Sequence, residues 1–139
     1  AYGLAALRLG YAVSHPDVAD LMNRIRQPFN VNSMALAAGL IALEDPGHVA
    51  QGVAVNRQGL QVLNAGLADL SLAVIPSVGN FVCFDLGQDA LPIYQALLMQ
   101  GVIVRPIGVY GLPQHLRVSV GTPEENRVFL DALGRVLIP

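Results

Sequence analysis

The chain has 139 residues, of which 53% are hydrophobic and 13% are charged. This is enough apolar side chain for one compact core, and the length is too short for two ordinary domains. The net charge is −2, and the cationic side chains are eight arginines with no lysine. Without a basic field, nucleic acid is not an expected partner. The lack of lysine excludes a lysine nucleophile supplied by this chain alone.

The cysteine content and the length of the apolar runs indicate where in the cell the protein is expected. The single cysteine, Cys83, cannot form an internal disulfide, which fits a reducing, cytoplasmic setting. The longest apolar stretch, residues 34–43, is well below the roughly 18 residues that span a bilayer, so we expect no membrane segment or signal peptide. The chain begins at Ala1 without an initiator methionine, and we therefore expect it to be a fragment.

The first 30 residues predict one strand and one helix. Residues 7–13 form an apolar run with β-branched and aromatic members, which is typical of a short strand. Apolar residues then recur at helical spacing up to Pro28, which cannot continue a helix. The residues of this apolar face are Val18, Leu21, Met22 and Ile25.

Two further helices are predicted in the next segment. Asn32 or Ser33 can cap the first helix, which covers residues 34–43 and whose uncharged sequence suggests burial on most sides. The second is a long helix over residues 48–67, because its apolar residues fall close to one stripe.

The second half of the chain changes from helical to alternating spacing. Strands are predicted over residues 74–75, 81–86, 102–105 and 116–120. A helix is predicted over residues 89–100, ending at a glycine. These elements indicate an α/β or α+β layer in which helices cover a small sheet.

The last helix has the clearest local signature. Thr122 fits the N-cap, Pro123 the first helical position, and Glu125 the third position, where it completes a capping box. Its apolar stripe is formed by Phe129, Ala132, Leu133 and Val136.

Metal and nucleotide sites are not indicated by the motifs. The histidines are far apart and lack the spacing of metal ligands, so we expect no metal site. No glycine-rich dinucleotide motif or nucleophile elbow occurs. The histidines are His15, His48 and His115.

Three arginines lie where arginine is costly to bury. Arg8, Arg105 and Arg117 each interrupt or end an apolar run. A guanidinium in such a position either lies on the solvated face of a strand or binds an anion. Period-two alternation places Arg117 and Ser119 on the same face of their strand. The remaining arginines are expected on polar helix faces.

Several segments, in this order and separation, resemble one enzyme family. Residues 1–11 resemble the segment that follows the catalytic lysine in class I/II, fold-type I pyridoxal-phosphate aminotransferases. Residues 116–122 resemble the family pattern Leu-Arg-(Ile/Val)-(Ser/Thr)-Val-Gly-Thr. Arg105, in Val-Ile-Val-Arg-Pro, matches the histidinol-phosphate branch, and residues 26–33 and 76–81 add weaker matches.

The resemblance implies roles for the three arginines. Arg8 looks like the family arginine that binds the phosphate of the pyridoxal phosphate cofactor. Arg105 and Arg117 look like the arginines that bind the anionic substrate. The catalytic lysine would fall just before Ala1, so we expect no catalytic residue in this chain and no activity from the chain alone. The aspartate that pairs with the pyridine nitrogen and the ring-stacking aromatic residue would also lie upstream.

The resemblance also implies a domain organisation and a function. Residues 1–47 would be the end of the large cofactor domain, and residues 48–139 a long linking helix and a small C-terminal α+β domain. The full-length parent would transfer an amino group between histidinol phosphate and 2-oxoglutarate, in histidine biosynthesis. Its expected partners are a phosphorylated amino substrate, glutamate or 2-oxoglutarate, and further copies of itself in a homo-oligomer such as a dimer.

Other interpretations stay open at this point. A threonine-phosphate decarboxylase or an aromatic aminotransferase shares the same segments. A non-catalytic association domain fits a chain without lysine. An α/β domain unrelated to the family would require several motif matches to arise in register by chance.

Overall fold

The computed structural model describes residues 1–137, which fall into two compact units: Ala1–Val53 and the residues from Ala54 onward. The α-helices are α1 (Pro16–Ile25), α2 (Ser33–Leu43), α3 (Pro46–Asp69), α4 (Ala90–Met99) and α5 (Pro123–Leu137). The β-strands are β1 (Ala73–Ile75), β2 (Phe81–Asp85), β3 (Arg105–Pro106) and β4 (His115–Ser119). Among these described residues, no helix is both long enough and apolar enough to cross a membrane.

The start of the chain is not the predicted strand. Residues Ala5–Leu7 form a 3₁₀ helix, and the strand prediction for residues 7–13 is wrong. Gly3 and Arg8 both have positive φ, at 70° and 53°, which interrupts an extended backbone. A strand also requires a neighbour for its backbone hydrogen bonds. Within the described part of the first unit, no strand is present to supply one.

The helices α1 and α2 of the first unit both begin at a side-chain cap. The Nδ1 atom of His15 accepts a hydrogen bond from the backbone N–H of Asp17 at 3.3 Å, at the start of α1. The Oδ1 atom of Asn32 accepts from the N–H of Ala35 at 2.8 Å, at the start of α2. The predicted helices over 18–25 and 34–43 are therefore confirmed, and Asn32 is the cap of the second.

The apolar side chains of α1 and α2 are largely exposed. In α2, Ala35 is buried, but Leu40 and Ile41 are 67% and 68% exposed. In α1, Ile25 is 82% exposed. The prediction that α2 is buried on most sides is thus wrong for this chain, because a helix apolar on all sides needs neighbours all around it. The described residues do not supply them.

The second unit contains a four-stranded sheet in the order β1-β2-β4-β3, in which each neighbouring pair is antiparallel. Side chains alternate between its faces, as period two requires. Val82, Phe84, Leu116 and Val118 are buried on one face. The opposite face, which includes Phe81, Cys83, Asp85, Arg117 and Ser119, is partly exposed, and we name it the open face.

Three helices pack with the buried face of the sheet into one hydrophobic core. The core residues contributed by helices are Leu63, Leu67, Ala90, Leu97, Phe129, Ala132 and Leu133. Two glycines of α3 permit close approach: a Cβ atom at Gly59 would lie 2.3 Å from Val120, and one at Gly66 would lie 2.5 Å from Leu130. The predicted long helix over 48–67 is confirmed, and these two glycines have a packing reason.

The strand predicted over residues 102–105 is shorter than expected. Only Arg105 and Pro106 pair with β4. The backbone N–H of Val102 instead donates to the carbonyl oxygen of Leu97 at 3.0 Å, which closes the C-terminus of α4. Pro106 has no N–H to extend the ladder. The other predicted strands and helices of the second unit are confirmed to within a few residues.

The predicted capping box of α5 is present. The N–H of Thr122 donates to Glu125 Oε2 at 2.7 Å, and the N–H of Glu125 donates to Thr122 Oγ1 at 3.3 Å. Asn126 is 3% exposed, and its side chain forms two hydrogen bonds with Gly121. Its Oδ1 accepts from the N–H of Gly121 at 2.9 Å, and its Nδ2 donates to the carbonyl oxygen of Gly121 at 3.1 Å. The β4–α5 turn is therefore held by side chains on both sides.

We predict that Thr122→Ala lowers the free energy of unfolding by about 1 kcal/mol, because one of the unpaired N–H groups of α5 loses its acceptor. Thr122→Ser keeps the hydroxyl and is the matched control. Chemical denaturation of both variants measures the difference. Equal midpoints for the alanine and serine variants would contradict the prediction.

The same box gives a pH dependence. Hydrogen bonds from the backbone and then the side chain of Thr122 lower the pKa of Glu125. A carboxyl group whose pKa is lowered by folding stabilises the protein above its unfolded pKa, and this contribution is lost as pH falls through the folded pKa. The difference in stability between the parent and Glu125→Gln, which removes this carboxylate, should therefore shrink on acidification below about pH 4.

We also predict that the isolated 139-residue chain self-associates, because the exposed apolar residues of α1 and α2 favour any contact that removes them from water. Ile25→Glu introduces a charge at an exposed position of α1 and should reduce association. Val78→Glu, at an isolated exposed position, is the control. Light scattering that shows a monomer at high micromolar concentration would contradict the prediction.

Candidate anion-binding site

Two of the predicted site residues lie opposite each other in the sheet. Arg105 of β3 pairs directly with Arg117 of β4. Residues directly opposite in an antiparallel pair have their side chains on the same face, and like charges in this position are destabilising. Neither guanidinium forms a salt bridge or a side-chain hydrogen bond with any residue among 1–137. An anion between them would relieve their repulsion.

The open face around Arg117 is polar and aromatic. The guanidinium carbon of Arg117 lies 4.9 Å from the centre of the Phe81 ring. Asp85 and His115 form the neighbouring cross-strand pair, with 3.9 Å between Asp85 Oδ1 and His115 Nδ1. Asp85 Oδ1 accepts a hydrogen bond from the N–H of Gly87 at 2.9 Å. The partners of the Asp85 carboxylate thus lie at the end of β2, and Asp85 does not pair with Arg117.

A cleft of about 680 Å³ adjoins the two arginines. Its walls are residues 101–105, residues 117–121 and the first turns of α5. The volume lies in the range of small-molecule sites, which is about 300–1,000 Å³. The cleft therefore has room for a metabolite beside two guanidinium groups.

The acidic residues that line the cleft are already engaged. Glu124 accepts a hydrogen bond from Arg127 at 2.5 Å. Glu125 belongs to the capping box with Thr122, which lowers its pKa. These carboxylates have partners on their own helix or its cap, whereas Arg105 and Arg117 do not. The unpaired charge at this cleft is positive.

Arg8 lies in the first unit and is described separately. It follows the 3₁₀ helix in a left-handed conformation, with φ at 53°. Its Nη1 atom donates to the carbonyl oxygen of Ala5 at 3.0 Å. The side chain is exposed and has no carboxylate partner within residues 1–137. Its remaining N–H groups are free to donate to an oxyanion.

The sequence pattern did not reveal every neighbour of the arginines. Phe81, Asp85 and His115 share the open face with Arg117, but this follows from the register of β2 on β4, which no single-strand pattern contains. The alternation in β2 could have placed Phe81 on the same face as Cys83. No group of three or more His, Cys, Asp or Glu residues within the described chain is arranged to hold a metal ion.

Comparison with known proteins gives consistent matches. The family model of aminotransferase class I and II matches residues 1–133. Histidinol-phosphate aminotransferase 2 of Pseudomonas fluorescens (strain Pf0-1) is 59% identical over 137 residues, which are 99% of this chain and 37% of that protein. The chain thus spans a little over one third of the length of this relative.

Solved structures show the same fold. Histidinol-phosphate aminotransferase from Sinorhizobium meliloti, in complex with pyridoxal-5'-phosphate, is 31% identical with a TM-score of 0.84, over 98% of this chain and 38% of that chain. L-threonine-O-3-phosphate decarboxylase from Porphyromonas gingivalis is 23% identical with a TM-score of 0.83, over 99% of this chain and 44% of that chain, and this likeness concerns the fold alone. With a family model matched over residues 1–133, the chain belongs to the aminotransferase class I and II family.

Proposed function

We propose that this chain is the C-terminal portion of a pyridoxal-phosphate-dependent aminotransferase that transfers an amino group between histidinol phosphate and 2-oxoglutarate. The structural observation that carries the proposal is the cross-strand pair of unpaired arginines beside a metabolite-sized cleft. The choice of substrate rests on the 59% identity to a histidinol-phosphate aminotransferase. Both substrates carry anionic groups, which such a pair can bind.

In this proposal, Arg105 and Arg117 bind the anionic end of the substrate. A guanidinium presents a planar set of N–H donors that can hold a carboxylate or phosphate through two parallel hydrogen bonds. Their placement on paired strands fixes both groups on a rigid element. The substrate is thereby oriented for reaction, which is where binding energy contributes to rate.

Arg8 would bind the phosphate of the cofactor. Its donors fit this group chemically: the guanidinium is exposed, has free N–H groups and follows a turn of backbone held by the hydrogen bond to Ala5. When bound, pyridoxal phosphate supplies the electron sink for amino-group transfer. The chain has no lysine, so the proton-transfer base that a lysine provides in this family would lie outside residues 1–139.

The domain assignment is part of the proposal. Residues 1–47 would belong to the large cofactor domain, and residues 48–139 would form the linking helix and the small C-terminal domain. A homo-oligomeric state and a cytoplasmic location stay predictions from the sequence.

The direct test is an assay of the full-length protein that carries this chain. Histidinol phosphate and 2-oxoglutarate should give glutamate, and phosphothreonine should give no carbon dioxide. The second half of this test addresses the decarboxylase alternative, whose fold match is similar at lower identity. Release of carbon dioxide without glutamate formation would replace the proposed function with the decarboxylase.

We predict that Arg117→Ala in the full-length protein raises KM for an anionic substrate by roughly 10- to 150-fold, the equivalent of about 1.5–3 kcal/mol for a lost charged hydrogen bond. Arg24→Ala is the matched control, because Arg24 is exposed and pairs with Asp20 one turn away on α1. Steady-state kinetics with each substrate varied measures the effect. Unchanged KM values for both substrates would remove the assignment of Arg117.

We predict that the isolated 139-residue chain forms no reducible adduct between pyridoxal phosphate and a side chain, because it has no lysine amine. After borohydride treatment, mass spectrometry should find the cofactor mass at most on the amino terminus. Acetylation of that terminus is the control and should abolish the adduct. Transaminase turnover by this chain alone would contradict the prediction.

A further inference from the structure

We propose that Phe81 is a positioning residue that orients the Arg117 guanidinium for anion binding. The inference rests on the proposed function, in which Arg117 binds the substrate. The observation behind it is the 4.9 Å distance between the guanidinium carbon of Arg117 and the centre of the Phe81 ring. This is the geometry of a cation–π contact.

The register of the sheet explains the contact. Phe81 pairs with Ser119, and Cys83 pairs with Arg117, so Phe81 is the diagonal neighbour of Arg117 on the open face. Diagonal neighbours are within reach of aromatic and long side chains. The guanidinium carbon lies over the ring, and an aromatic ring is a weaker hydrogen-bond acceptor than a carboxylate. Since the Arg117 side chain donates no hydrogen bond to any residue among 1–137, its N–H groups stay available for an oxyanion.

Arg117 differs in this respect from other arginines of the chain. Arg24 and Arg127 are held by carboxylates on their own helices. A carboxylate partner would compete with an anionic substrate for the same N–H groups, whereas an aromatic ring does not. Arg105 is exposed and is not in the cation–π contact that holds Arg117. Arg117 is therefore the restrained member of the pair.

The surroundings of Phe81 hold its ring in place without making it part of the core. The loop before it is tied on one side by a hydrogen bond from Asn56 Nδ2 to the carbonyl oxygen of Gly79 at 3.1 Å. On the other side, the N–H of Val120 donates to the carbonyl oxygen of Asn80 at 2.8 Å. A Cβ atom at Gly79 would lie 3.4 Å from the ring, in ordinary van der Waals contact, so the loop backbone packs close beside the ring.

The core does not depend on this ring. Val82 and Phe84 of the same strand lie on the buried face of the sheet and are both 0% exposed. Phe81 lies on the open face and is only half-buried. Loss of the Phe81 ring opens no cavity among the core residues. A variant without the ring should therefore fold and show a defect in binding.

The test uses the full-length protein and compares the kinetics of three variants with those of the parent. Phe81→Leu keeps apolar volume without a ring, and Phe81→Tyr keeps the ring. We expect Phe81→Leu to raise KM for the anionic substrate by about 2- to 30-fold, the range for loss of one cation–π contact. In Phe81→Leu, kcat should change less than KM. The KM of Phe81→Tyr should stay close to that of the parent. Ile75→Ala, two strands from Arg117 on the same row, is the control for lost apolar surface and should leave KM unchanged.

A double-mutant cycle with Arg117→Ala separates the possible outcomes. If Phe81 acts through Arg117, Phe81→Leu should have no further effect on KM once Arg117 is alanine. An equal effect in both backgrounds would overturn the positioning role. If Arg117→Ala raises KM but Phe81→Leu does not, this inference fails and the proposed function stands. If Arg117→Ala itself leaves KM unchanged, the proposed role of Arg117 fails.

Stability is measured in parallel by thermal unfolding. Phe81→Met is the second variant without a ring, to be used if Phe81→Leu does not fold. Folding of either variant with the expected rise in KM supports the positioning role. Failure of both to fold would show that the ring is structural and would overturn the proposal.

Discussion

The antiparallel pairing of β2 with β4 is the constraint on which the second unit depends. Five consecutive pairs, from Phe81↔Ser119 to Asp85↔His115, fix a single register. Because side chains alternate, this register places Leu116 and Val118 in the core and Arg117 on the open face. A slip of one residue would exchange the two faces, burying a charge and exposing leucine and valine. Stability of the core and placement of the guanidinium are therefore set by the same hydrogen bonds.

The edge strand β3 adds a second cation, Arg105, which lowers the stability of the sheet. Pairing of Arg105 with Arg117 brings two positive charges to adjacent positions, which sheet packing alone disfavours. Helix α5 does not relieve this repulsion: it brings Glu124 and Glu125 to the cleft, but within residues 1–137 neither forms a salt bridge with Arg105 or Arg117. The carboxylates nearest to the cleft are held by Arg127 and Thr122. In the proposed function, an external anion would offset this repulsion.

The parts of the structure that could be predicted from sequence are those with local causes. The capping box of Thr122 and Glu125 and the cap at Asn32 depend on partners within three residues, so the sequence contains both sides of each interaction. Alternation in β4 likewise separated Arg117 from the core. The pairing of Arg105 with Arg117 and the contact with Phe81 could not be predicted, since strand order and register are not local properties. The strand predicted over residues 102–105 begins only at Arg105, because the N–H of Val102 is used to close α4.

The two predictions that were wrong for the first unit, the strand over residues 7–13 and the burial of α2, share one physical origin. An apolar run such as residues 7–13 indicates a strand only where another strand is available for its N–H and C=O groups. Uncharged α2 indicates burial only where other elements surround it. In both cases the side chains specify an environment, and among the described residues that environment is missing, so the backbone curls into a 3₁₀ turn and α2 stays exposed. The exposed Arg8 likewise has a backbone carbonyl as its only hydrogen-bond acceptor within residues 1–137, and its other N–H groups face solvent.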